Sequence, residues 1–215
     1  MASTPPRPVA SLAPTTGSTR SRKKPDERRA EILAEAASIA LDEGLERITL
    51  RAVADRLGVR PGLITHYYPA AENLVIAAFT RAASFERDLF FPSEGGPVER
   101  LAHFLRRIES GASVPLGRMW LNARHLSRFS PALGAALRDQ DALDRDRLTA
   151  IVRAGIAAGE FADVDAEGAA TRILIAVDGV GSSVNDMTAD QTILDSFVWE
   201  VAEWTLGLAA GSLPR

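Results

Sequence analysis

The stretch that decides the fold is TLRAVADRLGVRPGLITHYYPAAENL, residues 49–74. Thr49 is placed to cap a short helix over about 50–56, because its hydroxyl can accept a hydrogen bond from a backbone N–H of the first turn. Gly58 follows at the position where a helix commonly ends in a left-handed residue, and Pro61 suits the first turn of the next helix. The stretch therefore predicts two short helices joined by a tight turn, which is the arrangement of a helix-turn-helix.

On both sides of this stretch, apolar residues recur at spacings of three and four, which predicts helices. The long helix near the middle of the chain has Leu137, Leu143 and Leu148 in its apolar register, and the helix after Pro69 has Phe85 among its inward residues. Strands are not expected, because no period-two pattern of useful length occurs. The predicted fold class is all-α, with about nine helices over about 27–43, 50–56, 61–67, Pro69 to Phe91, Pro97 to Ile108, 115–128, Pro131 to Ile156, 166–184 and 190–208.

Composition excludes several classes of protein. The chain has 215 residues, a formal charge of −3, an apolar fraction of 46% and no cysteine, so a wholly disordered chain, a disulfide framework and thiolate sites are excluded. No stretch approaches the roughly 18 apolar residues of a membrane span. The three histidines (His66, His103 and His125) are far apart, and no nucleophile elbow or metal-ligand pair occurs. We therefore expect no catalytic residues, no metal site and no cofactor, and we expect that the chain is not an enzyme.

Residues 1–24 form a basic arm. They carry Arg7, Arg20, Arg22, Lys23 and Lys24 with no carboxylate, in a segment of Pro, Ser, Thr, Ala and Gly. Such a composition predicts disorder, and basic arms commonly reach nucleic-acid phosphates; a solvated terminus is the alternative. The arm has no apolar signal core, so we expect a cytoplasmic, nucleoid-associated protein.

The second helix of a helix-turn-helix lies in the major groove of DNA, where each base pair shows a distinct pattern of donors and acceptors. Arg60, Thr65 and His66 on or near its exposed face supply a guanidinium, a hydroxyl and an imidazole. Gly62 lets the backbone approach closely. The residues alone therefore favour sequence-specific DNA binding.

The same segment resembles the tetracycline-repressor (TetR) family of bacterial one-component regulators. Three positions depart from the family pattern, since Arg60, Thr65 and Ala71 stand where the family often has Ser, Tyr and Lys. The loss of the Lys would weaken a phosphate contact. The residues that match in order and spacing are Arg29, Ile32, Leu33, Ala36, Gly44, Thr49, Val53, Ala54, Leu57, Gly58, Val59, Gly62, Tyr67, Tyr68, Glu72 and Leu74.

The resemblance implies a DNA-binding domain over 25–72 and an effector-binding and dimerisation domain over 73–215. His66 contacts DNA in this interpretation, with a helix-end cap as the alternative, and Arg51 contacts phosphate, with a solvated helix face as the alternative. Tyr68 is expected in the core. The predicted DNA-binding residues are Thr49, Arg51, Arg60, Pro61, Gly62, Thr65, His66 and Tyr67.

A small-molecule pocket is the second predicted site. Trp120, Arg124, His125 and Phe129 fall on one predicted helix, and Asp178 interrupts an apolar stretch, so a pocket with a few polar groups can form between them. Alternatively, Trp120 and Phe129 are simple core residues and Asp178 pairs with an Arg across a dimer.

The acidic residues of the long helix point to a solvated face rather than to a site. They alternate with arginines, and Asp141 and Arg145 are spaced as an i,i+4 pair on the outer face of that helix. These acidic residues are Asp139, Asp141, Asp144 and Asp146.

The last two helices are apolar around more of their circumference than a surface helix. Each is therefore expected to be covered on two sides, by the core and by a second subunit. The predicted dimer-interface residues are Val177, Gly181, Phe197, Val201 and Trp204.

Together these features predict a homodimeric, ligand-responsive transcriptional regulator, in which a small molecule releases a repressor from a palindromic double-stranded DNA operator. A DNA-binding regulator without a small-molecule effector, controlled by a protein partner, is the alternative. A C-terminal core without a pocket would favour that alternative.

Overall fold

The computed structural model describes residues 24–111, 113–186 and 191–215. Within these ranges the chain forms nine α-helices and no β-strand, as the sequence predicts. The predicted disordered arm lies outside the described residues apart from Lys24. The helices are α1 (Pro25–Asp42), α2 (Leu50–Leu57), α3 (Pro61–Tyr67), α4 (Ala71–Phe90), α5 (Pro97–Glu109), α6 (Val114–Leu126), α7 (Pro131–Ala157), α8 (Ala166–Ser182) and α9 (Gln191–Thr205), with one 3-10 turn at Leu45–Arg47.

The helix ends follow from local chemistry. The Thr49 hydroxyl accepts a hydrogen bond from the Ala52 N–H at 2.9 Å and so caps α2. Pro61 is the first residue of α3, where its missing N–H costs nothing. The Ser130 hydroxyl caps α7 by accepting from the Leu133 N–H at 3.1 Å. These features explain where α2, α3 and α7 begin. The predicted bounds of the nine helices agree with the structure to within three residues.

Two apolar cores hold the helices together. The N-terminal core is built by α1 to α4 together with α6 and the start of α7. The second core is built by the end of α4 and by α5, α7, α8 and α9. Leu116, near the start of α6, packs against both cores. α6 therefore joins the N-terminal helices to the rest of the protein.

Two predicted inward residues and one predicted outer face are wrong. Phe85 and Leu143 are exposed, whereas Asp141 and Asp144 line a cavity. The reason lies in the register of α7: positions 137, 141, 144 and 148 share one face of a helix, and Leu137 and Leu148 on that face are buried.

No helix in the described part of the chain has both the length and the apolar character needed to cross a membrane.

Candidate functional site

The helix-turn-helix is formed by α2, the turn at Gly58 and α3. Gly58 adopts a left-handed conformation, with φ of 62°. The Val59 N–H donates to the Ala54 carbonyl at 3.0 Å and closes the turn. Val53 and Ile64, one from each helix, are fully buried in the N-terminal core. The turn and these anchors fix the angle between the two helices and leave the outer side of α3 free.

The outer surface of α3 carries most of the predicted DNA-binding residues. Gly62 adds no side chain to this surface, and a Cβ built there would meet no atom within 4 Å. The Thr65 hydroxyl donates to the Pro61 carbonyl at 3.2 Å, and the His66 ring meets the Tyr67 ring edge-on. Arg60, Pro61, Gly62, Thr65 and His66 are exposed, and Tyr67 is half-buried.

Tyr68 is buried in the core, as predicted. The Arg29 guanidinium lies 4.9 Å from the centre of its ring, a distance at which a cation is attracted to the face of an aromatic ring. Tyr68 therefore braces α1 against the end of α3 and takes no part in the exposed surface.

The charges of α2 divide into two groups. Arg56 is held by carboxylates of α1 and of the residue that follows it: Glu35 at 3.2 Å, Asp42 at 3.8 Å and Glu43. Arg51 is highly exposed, and its only described ion pair is with Asp55 at 3.7 Å. Of these two arginines, Arg51 is thus the one whose charge is available to a partner.

A cavity of about 880 Å³ lies among α4, α5, α6, α7 and α8. Ligand pockets commonly have volumes of about 300–1,000 Å³, so the cavity is large enough for a drug-sized molecule. Much of its wall is apolar, including Phe90, Phe91, Phe104, Ile108, Leu116, Trp120, Leu174, Val177 and Val180.

Five charged residues of the wall make two neighbouring ion-pair groups, which we call the charged cluster: Arg87, Arg124, Asp141, Asp144 and Asp178. Arg124 binds Asp178 at 2.8 Å and Asp141 at 3.3 Å. Arg87, only 7% exposed, pairs with Asp144 and also donates to the side chain of Gln140 at 2.8 Å. The cluster thereby ties α4 and α6 to α7 and α8.

Burial outweighs ion pairing at both aspartates of α7. It raises the pKa of Asp144 to about 6, although the Arg87 guanidinium opposes the shift. It also raises the pKa of Asp141 above its ordinary value, against the effect of Arg124. The ionised forms of these two carboxylates are therefore less favourable in the cavity wall than in water.

The structure brings three of the five predicted pocket residues together. Trp120, Arg124 and Asp178 line the cavity, and Asp178 pairs with Arg124 of the same chain. His125 and Phe129 do not line it: their rings pack on each other, 5.8 Å apart, and Phe129 is 72% exposed.

Arg87, Asp141 and Asp144 are the members of the charged cluster that the sequence analysis did not place in a pocket. A signal for them exists, because Arg87 falls four residues after Ala83 on the apolar face of α4, and the two aspartates share the face of Leu137 on α7. A charge in an apolar register thus indicates a buried polar site.

The predicted dimer-interface residues separate into two groups. Val177 and Gly181 of α8 line the cavity. On α9, Phe197 and Trp204 are exposed and Val201 is half-buried. Spacings of four and three residues place these three on one side of the helix, and the exposed Ile193 extends the same stripe. Large exposed apolar patches of this kind mark interaction surfaces.

Helix α6 contacts both candidate sites. Trp120, in the cavity wall, meets Phe79 of the N-terminal core edge-on, with ring centres 5.2 Å apart. The Asn122 side-chain oxygen accepts a hydrogen bond from the Leu45 N–H at 2.7 Å, next to the start of the helix-turn-helix. A movement of α6 would therefore change contacts both in the cavity wall and next to the helix-turn-helix.

Comparisons with known proteins agree with this geometry. Residues 32–78 match the family described as bacterial regulatory proteins, tetR family. The matched segment contains α2, α3 and the turn between them, so this part of the chain is similar to the tetR family. This is a family of regulatory proteins rather than enzymes, in agreement with the sequence prediction.

Two curated relatives are named HTH-type transcriptional repressor KstR. The chain is 36% identical over 80 residues to the one from Mycobacterium tuberculosis, a match that covers 37% of this chain and 36% of the relative. It is 32% identical over 133 residues to the one from Rhodococcus jostii, covering 58% of each chain. The matches thus span less than two thirds of the length of these repressors.

Solved structures share the fold. A TetR transcriptional regulator from Chloroflexus aurantiacus is 25% identical, with a TM-score of 0.71 over 85% of this chain and 96% of that one. A protein from Saccharomonospora viridis in complex with choline is 20% identical, with a TM-score of 0.69 over 83% and 95%. The regulator FadR from Bacillus subtilis, in complex with stearoyl-CoA, is 19% identical, with a TM-score of 0.63 over 82% and 97%.

Proposed function

We propose that this protein is a homodimeric, sequence-specific DNA-binding repressor, released from a palindromic operator by a small molecule that binds in the cavity. The single observation that carries the proposal is the exposed surface of α3. There Arg60, Thr65 and His66 point away from a buried anchor, and Gly62 leaves the backbone open. Hydrogen-bonding side chains on a helix braced by a preceding helix can read base edges in the major groove.

In this proposal α2 positions the reading helix on the DNA backbone. Thr49 and Arg51 lie at the start of α2 and are exposed, so a hydroxyl and a guanidinium are available to phosphate oxygens. Tyr67, half-buried at the end of α3, offers a phenol to a neighbouring phosphate. Such contacts set the register of the protein and carry no sequence information themselves.

A second subunit covers the apolar stripe of α9 in this proposal. Ile193, Phe197 and Trp204 expose large apolar surfaces on one face, and a two-fold dimer buries the same face of both copies. Two α3 helices related by a two-fold axis would read inverted half-sites about 34–36 Å apart. The operator is therefore expected to be palindromic.

The cavity supports control by a small molecule over control by a protein partner alone. It is large, mainly apolar and lined by a few charged groups, which is the usual character of a ligand site. Two structural neighbours have been solved in complex with small molecules, one with choline and one with stearoyl-CoA. These ligands differ widely, so they support responsiveness to a small molecule without fixing which one this protein takes.

Control requires that the ligand bind two conformations with different affinities. Helix α6 is the element suited to this coupling, because Trp120 and Arg124 face the cavity while Asn122 bonds the N-terminal helices. A ligand that displaces Arg124 would shift α6 and, through it, the pair of α3 helices.

Selection of duplexes from a random pool by the purified full chain tests this proposal. We expect the recovered sequences to share two inverted half-sites whose centres lie about one helical turn, or a multiple of it, apart. Recovery of duplexes with no common sequence would contradict it. An Arg60→Ala variant is the matched control, since it keeps the fold and removes a guanidinium from the reading surface.

A further inference from the structure

The cavity wall carries more negative than positive charge. Its described charged residues are the four arginines Arg87, Arg118, Arg124 and Arg145 and the six carboxylates Glu86, Glu109, Asp141, Asp144, Asp178 and Asp186. One of these carboxylates, Glu86, pairs at 3.6 Å with Arg107, which stands outside the wall. Without Glu86 the wall still has five carboxylates and four arginines.

The charged cluster has the same imbalance at smaller scale, with two arginines facing three aspartates. Arg124 alone serves two of them: its Nη2 lies 2.8 Å from Asp178 and 3.3 Å from Asp141, and its Nη1 lies 3.4 Å from Asp141. Arg87 is occupied by Asp144 and Gln140. One more positive charge would balance the cluster.

An arriving anion meets the opposite situation. At the charged cluster it would have to displace a carboxylate from Arg124 or Arg87 and leave that carboxylate unpaired, which is costly inside a protein. Arg145 also lines the cavity, but its charge already acts on Asp141. Within the charged cluster, Asp141 and Asp178 thus share the single guanidinium of Arg124, and both arginines already pair with carboxylates. Arg118, elsewhere in the wall, donates to the Asn185 side chain at 3.1 Å.

From this imbalance we propose that the cavity binds an organic cation, with its ammonium group against Asp141 and Asp178 and its apolar body along the aromatic and aliphatic wall. The inference rests on the proposed function, because it names the class of molecule to which the regulator responds. The Trp120 ring, which has the Arg124 guanidinium 5.6 Å from its centre, supplies an aromatic face that also favours a cation. The apolar wall and the volume of about 880 Å³ accommodate an attached chain or ring system.

Titration calorimetry on the full chain, without DNA, tests this with three probes of matched length below their micelle concentrations: decyltrimethylammonium, decanoate and decanol. We expect decyltrimethylammonium to bind at least about tenfold more tightly than either other probe, as one added ion pair in a partly shielded site implies. Decanoate or decanol binding as tightly as the cation would overturn the proposal.

Variants locate the site. Asp178→Asn should weaken binding of the cation by about tenfold while leaving decanol binding unchanged, because only the charge is removed. The control is Asp163→Asn, an exposed residue outside the cavity wall, which should leave both unchanged. Equal cation affinity in wild type and Asp178→Asn, with circular dichroism showing both folded, would overturn the proposed position of the ammonium.

DNA binding is measured separately on the same protein, so the two proposals fail in different ways. Sequence-specific DNA binding without preference for the cation would overturn only the ligand class. Cation binding at Asp178 without any specific DNA binding would support the ligand class and overturn the proposed function.

Discussion

A substitution at Gly62 should affect stability and DNA binding in different ways. A Cβ at this position would meet no protein atom, and Ala favours a helix over Gly by up to about 1 kcal/mol. We therefore predict that Gly62→Ala keeps or slightly raises the free energy of unfolding. The added methyl group would stand between α3 and the DNA, so operator affinity should fall by about tenfold or more. Thermal unfolding and fluorescence anisotropy measure the two effects.

The contrasting glycine is Gly58, whose φ of 62° suits residues with a Cβ poorly. Gly58→Ala should therefore lower the free energy of unfolding by about 1–2 kcal/mol, and any loss of DNA binding should follow from that. If Gly62→Ala bound the operator as tightly as the wild type, the proposal that α3 contacts the DNA bases would be wrong.

The stability of the protein should carry a pH signature from Asp144. Its pKa is raised to about 6 in the folded state by burial, against the opposing charge of Arg87 and with Asp141 and Asp178 adding to the shift. Between pH 4 and 6 the folded state consequently binds more protons than the unfolded state, so this group lowers stability as the pH rises. Relative to Asp144→Asn, the wild type should lose up to about 3 kcal/mol across that window.

Urea denaturation of both proteins at a series of pH values measures this difference. Because both proteins contain the same other carboxylates, the comparison removes the contributions of those groups to the pH dependence of stability. A difference that does not change between pH 4 and 6.5, or one that grows in favour of the wild type, would show that the ion pair with Arg87 outweighs burial.

At the scale of elements, α6 links the cavity to the N-terminal helices, and breaking this link should lower the stability of the protein. The Asn122 side chain is the described acceptor for the Leu45 N–H, and Leu45 is fully buried. Asn122→Ala leaves that N–H without a partner and should lower the free energy of unfolding by about 1–3 kcal/mol. Chemical denaturation measures the loss.

Asn122→Asp is the matched control, since it keeps an acceptor oxygen at the same place and should retain more of the stability. Equal stability of the wild type and Asn122→Ala would mean that this hydrogen bond does not hold α6 to the N-terminal helices.

The positions of the helices were predictable because local residues set them. Thr49, Ser130 and the prolines at the first positions of several helices act over one turn, so a single sequence reveals them. The buried anchors Val53 and Ile64 follow from periodicity in the same way. Once these buried residues are known, the opposite side of α3 can be predicted to be exposed.

The cavity was harder to predict because tertiary packing creates it. Arg87, Asp141 and Asp144 look like surface charges when charge pattern alone is considered, and only their helix register shows that they face inward. His125 shares α6 with Trp120 and Arg124 yet lies off the cavity, because residues on one helix need not share a face. Phe129 lies beyond the end of α6, in the turn before α7. The pairing of Arg124 with two aspartates from two other helices has no local signal.

For the whole molecule, the α9 stripe predicts the oligomeric state. Trp204 is 73% exposed, and a carboxylate placed there would be buried without a partner in a dimer. We predict that Trp204→Glu is a folded monomer at micromolar concentrations where the wild type is a dimer. Its affinity for a full palindrome should fall towards that for a single half-site, because the gain from two linked contacts is lost.

Sedimentation velocity measures the oligomeric state, with Asp163→Asn as the surface control. A wild type that is monomeric at these concentrations, or a Trp204→Glu variant that remains a dimer, would place the interface elsewhere.

The central claim, specific DNA recognition by α3, is tested most directly by the affinity of the purified protein for DNA flanking its own gene and for a scrambled duplex, measured as salt is raised. Binding through phosphates alone weakens steeply with salt for every sequence. The account predicts a preference for the flanking duplex that persists at high salt and that Arg60→Ala reduces by about tenfold or more. Equal and equally salt-sensitive binding to both duplexes, or no binding at any salt, would contradict it.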